Sequence, residues 1–296
     1  MRFKYQQLAL VLLPLAVAGC TTQKLNWVDT KNVPYSNVVP EGRSSVVIYR
    51  QADAIDGPTV NVYINSEYLA SLQPNAYRQE TVCAENQKLY SEFTHRDPGY
   101  YAKEHDGNFY DLAVNQVSFF KVTNANGKPT LVQVDEQQAR EELKNIPEQT
   151  HTLSRVEHLK ECSKVLRKFN LEASALFKFN RSDYANMLPQ GKQEVSAVAA
   201  EIKQIKEKIS DVTVVGHTDP EGSAAYNQKL SLKRAATVKK ALAAGGVDAS
   251  LITAEGRGES EPLIADCKAR FPRNAKERQA CNQPNRRVSI VVHGGK

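Results

Sequence analysis

The chain has 296 residues, 41% hydrophobic and 24% charged, with 15 Gly, 13 Pro, 5 Cys and 1 Trp. These proportions exclude a wholly disordered or collagen-like chain, and a single apolar run at the extreme N-terminus excludes a polytopic membrane protein. The net charge of +6 sits in the C-terminal portion: residues 1–170 hold 19 Lys/Arg and 19 Asp/Glu, a difference of 0, whereas residues 171–296 hold 20 and 14, a difference of +6. So mild an excess, interleaved with acids, does not argue for nucleic acid and suits an anionic polymer. At ~100–200 residues per domain the length allows one large domain or two ordinary ones.

Arg2 and Lys4 precede an apolar run of 11 residues, Leu8 to Ala18, interrupted by Pro14. The run is too short to span a bilayer and fits a secretory leader. It ends Val17-Ala18-Gly19-Cys20, which resembles the bacterial lipobox. The resemblance implies a signal peptide over residues 1–19 and a mature chain that begins at Cys20. It also implies acyl chains on that cysteine, palmitate among them. Several acyl chains anchor stably where one is marginal. Thr21 stands where an Asp would retain a lipoprotein in the inner membrane, so the resemblance implies the periplasmic face of the outer membrane. Residues 20–42 have no sustained periodicity and read as a tether.

Residues 43–135 read as a β-rich domain. Ser45–Arg50, Thr59–Ile64, Tyr68–Leu72, Lys88–Phe93 and Val117–Val122 are short runs rich in β-branched and aromatic residues, separated by turn-forming clusters. Eight of the 12 tyrosines lie between Tyr49 and Tyr110. The pattern suggests an all-β sandwich. Val62 to Leu72 is similar to small β-sandwich modules of other bacterial lipoproteins, a likeness that names no activity. The stretch around Tyr100 and Tyr101 reads either as a carbohydrate-binding surface or as half-buried strand residues.

Residues 136–170 switch to helical signals and read as a joint. Asp135 is a candidate N-cap, Ala139 and Leu143 share a face, and Pro147 ends the helix. A second helix is expected to carry Leu153, Val156, Leu159 and Val165. From Leu171 helices and strands alternate. Ala175–Phe179 reads as a strand, and Val195, Val198, Ile202, Ile205 and Ile209 as one helix face. Asp211–Gly216 reads as a strand and Leu230–Leu242 as a helix capped by Ser231. Ile252–Gly256 and Arg287–Val292 are the last strands. Residues 171–296 thus form an α/β domain with a small sheet, and the whole chain is α+β.

Beyond Cys20 four cysteines remain, an even count that suits an oxidising compartment. Cys267 and Cys281 close a short loop within one domain and are paired. Cys83 and Cys162 pair by elimination, with free buried thiols as the competing reading. There is no C-x-x-C, so a zinc ribbon has no support.

Gly216-His217-Thr218-Asp219 follows a strand, and Asn227, Leu230, Ser231, Arg234, Ala235, Val238 and Leu242 follow at fixed spacing. Gly256-Arg257-Gly258 and Asn285-Arg286-Arg287-Val288 come downstream. Together these motifs resemble the OmpA-like peptidoglycan-binding domain over about residues 171–293. The resemblance implies noncovalent binding of the cell-wall stem peptide through meso-diaminopimelate. It places Asp219 on the ligand's ammonium and Arg234 on its carboxylate. Thr218, Asn227, Asn180 and one of Arg286 and Arg287, taken as Arg287, line the same cleft. The chemistry is coherent: a zwitterion needs an anion beside a cation, and the planar arginine fork grips a carboxylate. The bland alternative is that Asp219 and Arg234 pair with each other, worth ~0–1 kcal/mol at a surface.

Three departures stand out. Lys178 replaces an acid common in the family, and Pro220-Glu221 adds a carboxylate near the site. Arg270, Arg273, Lys276 and Arg278 make the Cys267–Cys281 loop basic, fit for wall polymer, lipid headgroups or plain solvation. His217 reads as a loop hydrogen bond, since no metal-ligand spacing surrounds it.

The expected protein is an outer-membrane lipoprotein that binds peptidoglycan and ties membrane to wall. An alternative is the wall anchor of an envelope machine, a flagellar motor or secretion apparatus, with the β domain as the partner surface. A wall-active enzyme needs paired carboxylates or an activated nucleophile, and no motif singles one out. No enzymatic activity, cofactor or metal is expected.

Overall fold

The computed structural model describes residues 29–97, 100–156, 162–178 and 180–295. The leader, Cys20, Pro98, Gly99, Leu159 and Phe179 lie outside them. Among the described residues no helix is long and apolar enough to cross a membrane.

In chain order the N-terminal strands are β1 (Thr30–Lys31), β2 (Arg43–Arg50), β3 (Val60–Ile64), β4 (Glu67–Leu72), β5 (Ala76–Cys83), β6 (Asn86–Phe93), β7 (Asn108–Asp111), β8 (Val117–Ala125), β9 (Lys128–Val134) and β10 (Glu148–Gln149). A one-turn helix α1 (Ala102–His105) precedes β7, and α2 (Glu136–Leu143) follows β9. One sheet runs β1-β10-β5-β2-β8-β9 and the other β4-β3-β6-β7. Alternation along β2 shows how they pack. Val46 and Ile48 join Val62, Leu69, Leu89 and Phe120 in the core between the sheets. Val47 and Tyr49 point the other way, into a second cluster with Ala139, Leu143 and Ile146 under α2. A strand buried on both faces reads as a continuous apolar run, as Val46-Val47-Ile48-Tyr49 does. Asp135 caps α2 by accepting the Gln138 N–H at 2.8 Å.

Three strands here carry weak sequence signals. In β5 the run Arg78-Gln79-Glu80-Thr81 is polar, and pairing with β2 from Arg43↔Cys83 to Arg50↔Ala76 makes it a strand. β7 and β9 are likewise fixed by their partners β6 and β8.

The C-terminal part contains β11 (Lys164–Glu172), α3 (Ala173–Leu176), α4 (Pro189–Gln204), β12 (Ile209–His217), α5 (Ala224–Ala244), β13 (Ile252–Gly258), α6 (Cys267–Arg270), α7 (Ala275–Cys281) and β14 (Arg287–Gly294). Its sheet runs β11-β14-β12-β13, with β12 and β13 parallel and the other pairs antiparallel. Val212, Val214, Val288, Ile290 and Val292 pack under Val195, Val198 and Ile202 of α4 and Ala235, Val238 and Leu242 of α5.

Several local expectations are overturned. Among the described residues the second joint helix does not form: Leu153 is 83% exposed, and Val165 lies in β11, opposite His293 of β14. Eight paired residues of the sheet outweigh a weak helical spacing. Ala175–Phe179 is not a strand, because residues 173–176 form the helical turn α3 and Phe177 makes only an isolated bridge to Met187. Helix α4 stops at Gln204, so Ile209 begins β12. Helix α5 starts seven residues before Ser231. Ser223 is its cap, accepting the Tyr226 N–H at 3.3 Å. Ser231 is a fully buried interior residue, whose Oγ accepts the Gly258 N–H at 2.9 Å.

That bond marks a close approach of α5 to the sheet. A Cβ on Gly216 would lie 2.1 Å from the Ser231 carbonyl oxygen, and one on Gly256 would lie 2.6 Å from the Leu232 nitrogen. Both neighbours are backbone and cannot swing away. Gly216→Ala is therefore expected to destabilise the protein by roughly 1–3 kcal/mol or more, as overpacking does. Gly295→Ala, with nothing within 4 Å, is expected to leave the denaturant midpoint unchanged.

Candidate functional site

At the C-terminal ends of the parallel strands β12 and β13 the chain opens a cleft of about 760 Å³. Crevices of open α/β sheets lie at such strand ends. Five segments build it: the loop after β12, the N-terminal half of α5, α3 with the loop after it, α7 of the disulfide-closed insert, and Arg286 just before β14.

The loop after β12 is held at both ends. The Thr218 N–H donates to the Gly258 carbonyl at 2.8 Å, and the Glu221 N–H to Asp219 Oδ1 at 3.3 Å. Asn227, buried on α5, donates from Nδ2 to the carbonyls of Asp219 and Glu221, each at 3.2 Å. It therefore braces the loop as well as lining the cleft. Thr218 is buried in the cleft wall and its Oγ1 has no hydrogen-bond partner.

Arg234 lies about two helical turns beyond Asn227 on α5 and is only 6% exposed. Its Nε donates to the Arg181 carbonyl at 3.1 Å, and its guanidinium lies 5.6 Å from the Phe177 ring centroid. Among the described residues no carboxylate comes within ion-pair distance of it. Burial, opposed by the fields of Tyr226 and Asp219, pulls its pKa below the usual arginine value. The same helix holds the loop that carries Asn180, through Thr237 Oγ1 to the Ser182 carbonyl at 2.5 Å. Asn180 sits at φ +55, a left-handed conformation that Asn tolerates better than most residues.

Asp219 pairs with Arg286 Nη1 at 2.7 Å rather than with Arg234, so the two residues expected to flank the ligand do not neutralise each other. Arg286 also donates to the Gln279 carbonyl of α7 at 3.2 and 3.3 Å. Across the mouth, Arg278 Nε meets Glu221 Oε1 at 2.8 Å, with side-chain exposures of 22% and 55%. So exposed a pair is worth about 0–1 kcal/mol.

Asp219, Arg234, Asn227, Asn180 and Thr218 thus line one cleft. Arg287 does not. It is the neighbour, Arg286, that faces the cleft, because successive strand residues point to opposite faces. Arg287 is buried on the far face of the sheet, where Nη2 donates to the Glu261 carbonyl at 3.3 Å and Nε and Nη1 have no partner. Burial lowers its pKa to about 10. Tyr226, Arg278, Gln279 and Arg286 also line it. The sequence flags Arg278 only by its place in a basic loop. Tyr100 and Tyr101 are exposed, lie outside any strand and line no part of the cleft. Both cysteine pairs are present, Cys83 with Cys162 and Cys267 with Cys281.

The far face of the sheet packs on the N-terminal part through polar groups. Lys168 meets Asp111, Asn170 hydrogen-bonds the same carboxylate, Asn86 donates to Glu261 Oε2 at 3.1 Å, and His293 lies 3.9 Å from Glu85. His217 ends β12 in this layer. Its Nδ1 has no hydrogen-bond partner and lies 4.0 Å from Glu261, so the loop hydrogen bond expected of it is absent. Burial, with Arg287, Arg257 and Lys168 adding to it, pushes its pKa down to about 2.

Residues 176–275 match the model of the OmpA family. Outer membrane protein A of Shimwellia blattae is 39% identical over 132 residues, which cover 43% of this chain and 52% of that protein. The Klebsiella aerogenes protein of the same name is 39% identical over 134 residues, 44% of this chain and 36% of that protein. The chain spans about half the length, or less, of these curated relatives. Among solved structures it is similar to the peptidoglycan-associated lipoprotein from Burkholderia pseudomallei (22% identity, 42% of this chain, 89% of that chain, TM-score 0.33). It is also similar to the cell wall anchor of the T6SS from Pseudomonas aeruginosa (27% identity, 43% and 81%, TM-score 0.34). The C-terminal part of the chain is thus similar in sequence to the OmpA family.

The buried His217 sets a pH dependence. A base whose folded pKa lies below its unfolded value binds more protons unfolded, so stability falls as pH drops below about 6.5, by at most about 1.4 kcal/mol per unit. His217→Gln is expected to flatten the loss of stability between pH 6.5 and 4.5 by roughly 1–3 kcal/mol, read from denaturant midpoints across that range.

Proposed function

We propose that the chain is an outer-membrane lipoprotein that holds the peptidoglycan stem peptide noncovalently through meso-diaminopimelate, and so ties the membrane to the wall. The observation that carries this reading is Arg234: a buried cation in a ligand-sized cleft with no carboxylate partner among the described residues. Buried charges are ordinarily paired, and an incoming carboxylate supplies the missing partner. Asp219 stands ready for the ammonium on the same ligand carbon, with Arg286 holding one of its oxygens. The unpartnered Thr218 hydroxyl and the amide of Asn180 offer further polar contacts.

Acyl chains at Cys20 are the second grip. Lipid and wall contacts on one chain act together by avidity, so a weak stem-peptide site suffices. The tether expected over residues 20–42 is shortened to residues 20–28, because β1 pairs with β10 and Tyr35 packs on the core beside α2, and the β-rich part is displayed in the periplasm. The C-terminal domain of this proposal begins at β11, near Lys164, since that strand completes its sheet. The mechanism is binding, with no bond made or broken in the ligand.

Cosedimentation of the soluble chain from residue 21 with diaminopimelate-type sacculi tests the proposal. The wild type is expected to pellet, and Asp219→Ala and Arg234→Ala each to lose at least about tenfold in affinity, a difference of about 1.4 kcal/mol, with unchanged circular dichroism. Equal pelleting by all three would overturn the site.

A further inference from the structure

The disulfide-closed insert is part of the cleft rather than an ornament beside it. The Cys267–Cys281 bond, with Cys267 buried, ties the start of α6 to the end of α7. Asn274 caps α7 by accepting the Glu277 N–H at 3.2 Å. Ala275, Arg278 and Gln279 then share one helix face, at the i, i+3 and i+4 spacing, and that face forms one wall of the cleft. The wall reaches the ligand pair as well, because the Gln279 carbonyl holds Arg286, which holds Asp219.

The cleft carries more positive charge than a zwitterion needs. Its lining has four cations, Lys178, Arg234, Arg278 and Arg286, against two carboxylates, Asp219 and Glu221, a surplus of two. The diaminopimelate side-chain end brings one ammonium and one carboxylate and leaves that surplus unchanged. The volume, about 760 Å³, lies in the range that holds ligands much larger than one amino-acid side chain. Arg278 is the cation that the insert itself places in the cleft, and it keeps donors for a further anion. Two of its five N–H donors are committed, Nε to the half-exposed Glu221 and Nη1 to the Phe271 carbonyl at 3.3 Å. The bond to Glu221 is a weak surface pair that a ligand carboxylate displaces by exchange, with Glu221 turning to solvent. Resting on the stem-peptide reading above, we infer that Arg278 reads a second carboxylate of the stem peptide, outside the diaminopimelate end taken by Asp219 and Arg234, so that the insert selects stems whose carboxyls are free over amidated ones.

Two carboxyls of a tripeptide stem meet this description, that of the D-glutamate residue and the main-chain carboxyl of diaminopimelate. The experiment measures calorimetric affinities of the full soluble chain for four synthetic L-alanyl-γ-D-glutamyl-meso-diaminopimelate tripeptides: unmodified, amidated at either carboxyl alone, and amidated at both. The wild type is expected to bind the unmodified peptide about five- to tenfold more tightly than the doubly amidated one, and the singly amidated peptide that loses the preference identifies the carboxyl. Arg278→Gln is expected to abolish the preference while binding the doubly amidated peptide as the wild type does. Glu221→Gln, which removes the competing carboxylate, is expected to strengthen binding of the unmodified peptide. Equal wild-type affinity for all four peptides, or a preference that survives in Arg278→Gln, overturns the inference. Asp219→Ala separates the two readings: if it binds the doubly amidated peptide like the wild type, the diaminopimelate site itself is wrong.

Discussion

The cleft exists because α5 lies within backbone contact of the ends of β12 and β13. Two positions without a Cβ, Gly216 and Gly256, allow that approach, and the buried Ser231 hydroxyl bonds the Gly258 N–H across it. Everything at the site is measured from this seam. Thr218 and Asp219 leave the sheet on one side of it, while Asn227 and Arg234 ride the helix on the other. The helix also reaches outward, to the carbonyls of Arg181 and Ser182, and fixes the loop that brings Asn180 to the cleft. A rigid element therefore carries the cation, and a braced loop carries the anion.

The electrostatics of the site follow from keeping its charges apart. Were Asp219 paired with Arg234, a ligand would have to break that pair before gaining anything. Instead Asp219 is held by Arg286, and Arg234 is stabilised by a carbonyl and an aromatic face. An arginine retains its charge under burial because its pKa starts so high. Burial thus leaves a cation short of partners, in a medium where a new charge-assisted hydrogen bond is strong.

One sheet serves two purposes through its two faces. Its apolar face receives α4 and α5, and its polar face, with Lys168, His217, Arg287, Ser289 and His293, meets Glu85, Asn86 and Asp111 of the N-terminal part. The Cys83–Cys162 bond runs beside this contact, from the end of β5 to the start of β11. Burying so many ionisable groups in one layer leaves several of them short of partners, and acid that charges His217 acts directly on it.

Much of this was legible in the residues. The Gly-His-Thr-Asp and Asn…Arg spacings name a strand, a turn and a helix whose side chains converge, because helix periodicity is a local property that survives any packing. The Asp135 cap, the short-loop disulfide and the apolar run of β2 are local in the same sense. What the sequence could not decide was phase and partnership. Whether Arg286 or Arg287 faces the cleft depends on which face of β14 meets the helices, and that is settled by pairing with β11 and β12. Val165, read as the end of a helical spacing, joined the strand 164–172 because β14 offered an edge of hydrogen-bonding partners. Ser231, a good cap in isolation, was drawn inside a longer helix that Ser223 begins. Arg278 entered the cleft only because the disulfide-closed insert folds back toward the loop after β12. Local chemistry determined which residues could bind an amino acid, and long-range backbone pairing determined which of them meet.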